Sequence, residues 1–208
     1  MLVESRSGVA PVLVLDVPSD FHQVPLDSRT ESRTAAQLQV VSALGLSSSA
    51  QREAISLYLE ALSIRLASGN VVGTAFCAVQ LDGHPSSATL TVATHPTHTH
   101  DACLAVSGAA EAMRRDARYQ HVEILVRGGR PVVSAVAERR ANPAETSSGR
   151  PGATLREITV FVPVAGQEQA AMLTLSTPCL DDWETYRGLV LDIGRSVRAA
   201  ATHAGSIG

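Results

Sequence analysis

Three pairs of β-type segments, each joined by a short turn, constrain the fold of this chain more than any other sequence feature. The pairs are 71 to 81 with 86 to 94 around DGHP, 122 to 126 with 131 to 137 around Gly128-Gly129, and about 155 to 164 with 170 to 177 around Gly166. Short turns that contain glycine usually join neighbouring antiparallel strands. The pattern therefore predicts a largely antiparallel sheet built from hairpins.

Helical segments occur before, between and after these hairpins. The apolar residues that follow a helical period and share one face are Ile55, Tyr58, Leu59, Leu62 and Leu66. Residues 31 to 44 and 101 to 116 also have helical character, with Asp101 as a candidate cap and Arg114 and Arg115 in the last turn. Asp181 and Glu184 have the spacing of a capping box, which predicts the start of a final helix.

The connecting segments favour one domain, residues 1–208, instead of two. Residues 139–154, RRANPAETSSGRPGAT, are rich in Pro, Gly and Ser and predict a mobile surface loop. Pro18 and Pro25 bracket a segment that can form only an edge strand or a loop. We expect a frayed tail at about 202–208. Strands grouped in hairpins with separate helices predict an α+β fold, with a largely antiparallel sheet sandwiched by helices.

Composition and charge exclude several classes of protein. A net charge of −3 gives no general attraction to nucleic acid. No apolar stretch reaches the roughly 18 residues of a membrane span, and the first residues lack the basic start and long apolar run of a signal peptide. Cys77, Cys103 and Cys179 show no CxxC spacing and predict free thiols in a reducing compartment. These features predict a cytoplasmic protein. The absence of lysine beside abundant alanine indicates a high-GC bacterial coding sequence, such as that of an actinobacterium.

The closing part of the chain resembles a known family. Its sequence is 158-ITVFVPVAGQEQAAMLTLSTPCLDDWETYRGLVLDIGRSVR-198: a strand ending in proline, a turn, the LTLSTP strand, an acidic-aromatic cap and a last helix. This order resembles the PsbP-like α/β/α sandwich family, including LpqN-type lipoproteins of mycobacteria and cytosolic actinobacterial relatives. The resemblance implies an α/β/α sandwich and often a role in binding another protein. It implies no shared reaction.

The segment 94-THPTHTHDAC-103 holds the candidate metal ligands His95, His98, His100 and Cys103. Imidazole and thiolate are good zinc ligands, and a structural zinc site needs four of them in tetrahedral array. The spacing matches no zinc class, however, and no HExxH motif accompanies it. A solvated loop between strand and helix is the plainer interpretation, with zinc as the alternative and no cofactor as the main expectation.

Candidate partner-binding residues are Trp183, Arg139 and Arg140. Trp183 is the only tryptophan, and it either anchors an interface or packs the last helix against the sheet. The arginine pair can meet phosphate or an acidic partner, although plain solvation accounts for it equally. A Cys103–His100 pair is a further, less favoured site, because nucleophile pairs usually come from distant parts of a chain.

These features favour a non-enzymatic protein-binding or adaptor module with an unidentified protein partner, no nucleic acid and no membrane span. The alternative is a metal-binding protein that uses the histidine and cysteine cluster. Small-molecule binding between the sheet and a helix layer is a third hypothesis. The oligomeric state stays open.

Overall fold

The computed structural model describes residues 2–3, 13–24, 30–43, 48–66, 70–141 and 153–200. The strands in these ranges are β1 (Leu2–Val3), β2 (Leu13–Val14), β3 (His22–Gln23), β4 (Val71–Leu81), β5 (His84–Pro96), β6 (Tyr119–Arg127), β7 (Arg130–Arg140), β8 (Thr154–Pro163), β9 (Gln169–Thr177) and β10 (Arg198–Ala199). The helices are α1 (Thr30–Ala43), α2 (Ser49–Leu66), α3 (Ala102–Arg115) and α4 (Trp183–Ser196).

Seven strands form one antiparallel sheet in the order β3-β4-β5-β9-β8-β7-β6. The three predicted hairpins are β4–β5, β6–β7 and β8–β9, and all three are confirmed. The proline-bracketed segment contributes β3, a two-residue strand at one edge, as predicted. The α+β fold with a largely antiparallel sheet is therefore confirmed. A small second sheet joins β1, β2 and β10.

The turn between β6 and β7 shows why glycine is needed there. Gly128 and Gly129 have φ angles of 56° and 76°, and the closing pair is Arg127 with Arg130. Two successive positive φ angles define a type I′ turn, which matches the twist of a hairpin but disfavours residues with a side chain.

Helices cover both faces of the large sheet. On one face α4 packs Val190 and Ile193 against buried side chains of β5, β8 and β9, including Ile158 and Leu173. On the other face, α3 covers β7 and β8 near Phe161, and α1 with α2 covers Phe76 of β4. The helical stripe predicted around Leu59 is the buried side of α2. No helix in the described part of the chain is long and apolar enough to cross a membrane.

Helix α3 starts as the sequence predicts. The carboxylate of Asp101 accepts hydrogen bonds from the amides of Cys103 at 2.8 Å and Leu104 at 3.1 Å, which satisfies two amides of the first turn. Arg114 and Arg115 lie in the last turn, where cations suit the helix dipole.

The prediction for the last helix needs a correction. A 3-10 turn, Leu180–Asp182, comes first, and α4 begins at Trp183 without a side-chain cap. The prediction that Asp181 and Glu184 form a capping box is therefore wrong. The residue in the cap position is Asp182, and its carboxylate is bound by His84 instead of the helix amides.

The loop predicted at 139–154 is shorter in the structure, because strands extend into both of its ends. Arg139 and Arg140 belong to β7 and pair with Leu155 and Thr154 of β8, so the strands continue into the segment assigned to the loop. Cross-strand pairing offsets the weak strand propensity of this composition. Residues 142–152 and the tail at 202–208 lie outside the described residues, and their predicted mobility stays a prediction.

Candidate functional site

The histidine segment follows the end of β5 and leads into α3. His95 is the residue before the last one of β5, and its Nδ1 donates to the carbonyl of Pro96 at 2.7 Å. His98 has a left-handed backbone with a φ of 55°, and His100 places Nε2 3.5 Å from Oε1 of Glu168. Cys103 is exposed in the first turn of α3.

This arrangement separates the candidate metal ligands. Within the described residues, which include all of 95–103, no three His, Cys, Asp or Glu side chains come together as a group that could hold a metal ion. Zinc needs four ligands about 2 Å from the ion. The zinc site therefore stays a prediction that the local geometry does not favour.

The candidate partner-binding residues have structural contacts. Trp183 is 7% exposed and packs in the core beside the sheet, with the guanidinium of Arg156 5.1 Å from its ring centre. Arg139 binds Glu157 across the β7–β8 pair at 3.0 Å, whereas Arg140 is exposed at the end of β7. Burial of Trp183 favours the packing interpretation over an interface anchor.

A chain of polar groups that the sequence did not predict runs beneath α4. The hydroxyls of Tyr186 and Ser86 are 2.8 Å apart, and Sγ of Cys77 is 3.9 Å from Oη of Tyr186. Burial raises the pKa of the Cys77 thiol to about 11, and burial also raises the pKa of Tyr186. Both groups are therefore protonated near neutral pH, so Cys77 is not an activated nucleophile.

His84 and Asp182 form a second polar contact at the same end of the sheet. Nε2 of His84 lies 3.0 and 3.1 Å from the two carboxylate oxygens of Asp182. A catalytic pair of this kind also needs a nucleophile beside the histidine. The nearby hydroxyl of Ser86 bonds Tyr186 instead. The pair joins the β4–β5 turn to the start of α4.

Threonines form a row across four neighbouring strands on the face that carries α2 and α3. The register aligns Thr74, Thr91, Thr174 and Thr159 in that order. Next to this row, Oη of Tyr58 is 2.6 Å from Oγ1 of Thr89, beside a cleft of about 20 Å³. A space of this volume holds one water molecule and is too small for a metabolite.

The two edges of the large sheet differ sharply. One edge is β3, with only two residues. The other is β6, with nine residues, which pairs only with β7 among the described strands. Ile124 and Val126 of β6 point to the same face and are 44% and 70% exposed. Charged residues protect one face of this edge, at Glu123 and Arg127, whereas the exposed apolar side chains on the other face leave a template for pairing with another chain.

The hairpin geometry also fixes which backbone groups of β6 are open. Arg127 and Arg130 flank the type I′ turn and form a hydrogen-bonded pair, so the next pair, Val126 with Pro131, is not hydrogen-bonded. Pro131 fits this position because it has no amide hydrogen to donate. The alternation leaves the amide and carbonyl groups of Val122, Ile124 and Val126 pointing away from β7.

Comparison with solved structures shows that this chain is similar in structure to known proteins. No family model matches the chain, and no curated protein matches it. The chain is similar to a solved structure titled "Crystal structure of LpqN involved in cell envelope biogenesis of Mycobacterium tuberculosis". The two share 14% identity with a TM-score of 0.43, over 95% of this chain and 88% of the other. This relation concerns structure alone and supports no functional conclusion, and membership of the PsbP-like family stays a prediction.

Proposed function

We propose that this chain is a non-enzymatic protein-binding module that takes up an extended segment of a partner protein along β6. The observation that carries this proposal is the long open edge at β6. Strand addition to such an edge is a recurring mode of peptide recognition, in which backbone hydrogen bonds supply affinity and alternate side chains supply specificity.

Strand β6 has both the backbone groups for affinity and the side chains for specificity. The outward amide and carbonyl groups of Val122, Ile124 and Val126 form a ladder that has no partner strand among the described residues. Ile124 and Val126 supply apolar contacts on one face, and Glu123 and Arg127 supply charges on the other. The polar groups gathered elsewhere, such as Tyr186 with Ser86, bond to one another and hold the fold together.

The proposal is tested by blocking one backbone group. Val126→Pro removes an amide that points away from β7, so it disturbs the β6–β7 pair little, as Pro131 already shows across the ladder. Val126→Thr is the matched control, since it changes the side chain and keeps the amide. A photo-crosslinking residue at position 124 reports what lies beside the strand in the native host.

We expect crosslinked protein products from the wild-type strand and from Val126→Thr, and their loss with Val126→Pro. Equal products from all three proteins, or no protein product from any of them, would refute strand addition at β6. The metal-binding alternative has no supporting ligand cluster among the described residues. The predicted cytoplasmic location is to be checked by fractionation of the host.

A further inference from the structure

The residues of β6 are complementary to a second copy of the same strand. A symmetric dimer that pairs two edge strands places one residue on the two-fold axis, and this choice fixes every other pair. With Leu125 on the axis, Ile124 lies opposite Val126 of the second copy. Glu123 then lies opposite Arg127 of the second copy, and the same two pairs recur on the other side of the axis.

Other registers lose this match. With Ile124 on the axis, Glu123 faces Leu125, and with Glu123 on the axis the two carboxylates face each other. Opposite charges directly across a strand pair are stabilising, and like charges are destabilising. The register centred on Leu125 also agrees with the backbone, because it joins the outward groups of Ile124 to those of Val126.

The charged groups are available for this contact. Oε1 of Glu123 binds Arg187 of α4 at 2.9 Å, whereas Oε2 meets only His121 among the described residues, at 3.7 Å. Arg127 is exposed and contacts no carboxylate in the part of the chain that the structure describes. Oε2 of Glu123 can therefore accept the guanidinium of the second copy without losing Arg187.

The helices leave room for two copies. Helix α3 contacts β6, β7 and β8 and so lies over β7. Because neighbouring strands are about 4.8 Å apart, the β7 strands of the two copies, and hence the two α3 helices, would lie roughly 14 Å apart. Packed helices need about 8 to 10 Å, so the two helices do not collide.

We propose that β6 pairs with β6 of a second copy of this chain, antiparallel and centred on Leu125, so that the two large sheets become one. This inference rests on the proposed function, because it names the partner at the same edge. Glu123 and Arg127 determine the register, and Ile124 and Val126 supply the apolar contacts.

The test uses opposite charge reversals in the full-length, untagged chain. Sedimentation velocity and native mass spectrometry of the wild type should give a species of twice the 21.8 kDa chain mass. Arg127→Glu and Glu123→Arg each place like charges opposite each other twice, so each should weaken self-association about tenfold or more. An equimolar mixture should restore the dimer as a heterodimer, because each variant then faces the opposite charge.

Two controls keep the outcome interpretable. Arg52→Glu makes the same charge change on α2, which covers β4 near the opposite edge of the sheet, and should leave the dimer intact. Thermal unfolding of Glu123→Arg measures the separate loss of the Arg187 contact. A monomeric wild type, or a dimer that ignores both reversals, overturns the inference.

The crosslinking residue at position 124 separates this inference from the proposed function. Self-crosslinked product supports both. Crosslinks to a different protein alone overturn the second-copy inference and leave strand addition standing. Absence of any protein product overturns both.

Discussion

Removal of the Tyr186 hydroxyl tests whether the polar chain beneath α4 stabilises the fold. The hydroxyl lies 2.8 Å from Oγ of Ser86, and Ser86 is 3% exposed. Tyr186→Phe leaves the Ser86 hydroxyl buried without this partner, which costs about 1–3 kcal/mol. For a chain of this size, about 2 kcal/mol lowers the melting temperature by roughly 4–8 °C.

The double variant identifies the cause of that loss. Ser86→Ala alone leaves the Tyr186 hydroxyl with only the weak Cys77 contact among the described residues. Changing both partners replaces a buried polar pair with apolar groups, and this can be nearly neutral. We therefore expect the double variant Ser86→Ala/Tyr186→Phe to lose clearly less stability than the sum of the single variants, by a coupling of about 1–2 kcal/mol.

Urea unfolding of the four proteins, followed by circular dichroism, measures this coupling. Tyr119→Phe is the matched control, because Tyr119 is only half-buried and its hydroxyl bonds no described residue. It should change stability by less than about 0.5 kcal/mol. Additive losses in the double variant would refute the reasoning, since they would mean that the two hydroxyls stabilise the fold independently.

Three further predictions follow from other contacts. Burial raises the pKa of the Cys77 thiol from 9.0 to about 11, so the folded protein favours the protonated thiol. The contribution of this thiol to the free energy of unfolding is therefore complete below pH 9 and is lost as the pH rises through 11. Cys77→Ala should reduce the alkaline loss seen in unfolding curves by about 2–3 kcal/mol, and an unchanged loss would contradict the assignment. Asp101→Ala removes the α3 cap and should cost about 1 kcal/mol in urea unfolding, with Asp101→Asn largely retaining it; equal stability of all three proteins would show that the cap is not needed. Elemental analysis of untagged protein should find no stoichiometric zinc, and one equivalent that is lost in His98→Ala/His100→Ala would establish the site.

The hairpins and the start of α3 could be predicted because their determinants are local. Gly128 and Gly129 specify a turn by their own conformational freedom, and Asp101 caps amides two and three residues away. The uncapped start of α4 could not be predicted, because the carboxylate of Asp182 at the cap position is bound by His84, about 100 residues earlier in the chain. A capping pattern describes only what a side chain can reach locally.

The candidate site depends on strand order, which local patterns do not determine. The alternation in VEILV predicts a strand but not whether it lies at the centre or the edge of the sheet. The exposure of Ile124 and Val126 follows from the edge position of β6. The histidine segment attracted attention because its residues are close in sequence, yet the backbone turns at His98 and the side chains separate.

The pairing of β5 with β9 has a consequence for the order of events during synthesis. These central strands are neighbours in the sheet, yet β9 follows β5 by about 70 residues, so their contact closes a long loop. The β4–β5 hairpin leaves the ribosome before α3 and the meander from β6 to β9. Until that meander is made, the edge of β5 has no partner strand. Docking of that meander onto β5 should be the slow step. In pulse-labelled hydrogen exchange, the amides of the β6–β7 pair should therefore become protected before those between β5 and β9. The nascent chain therefore has a temporary second open edge, at β5, which is an inner strand of the finished sheet. A chaperone that binds unpaired strand edges would bind the nascent chain at β5.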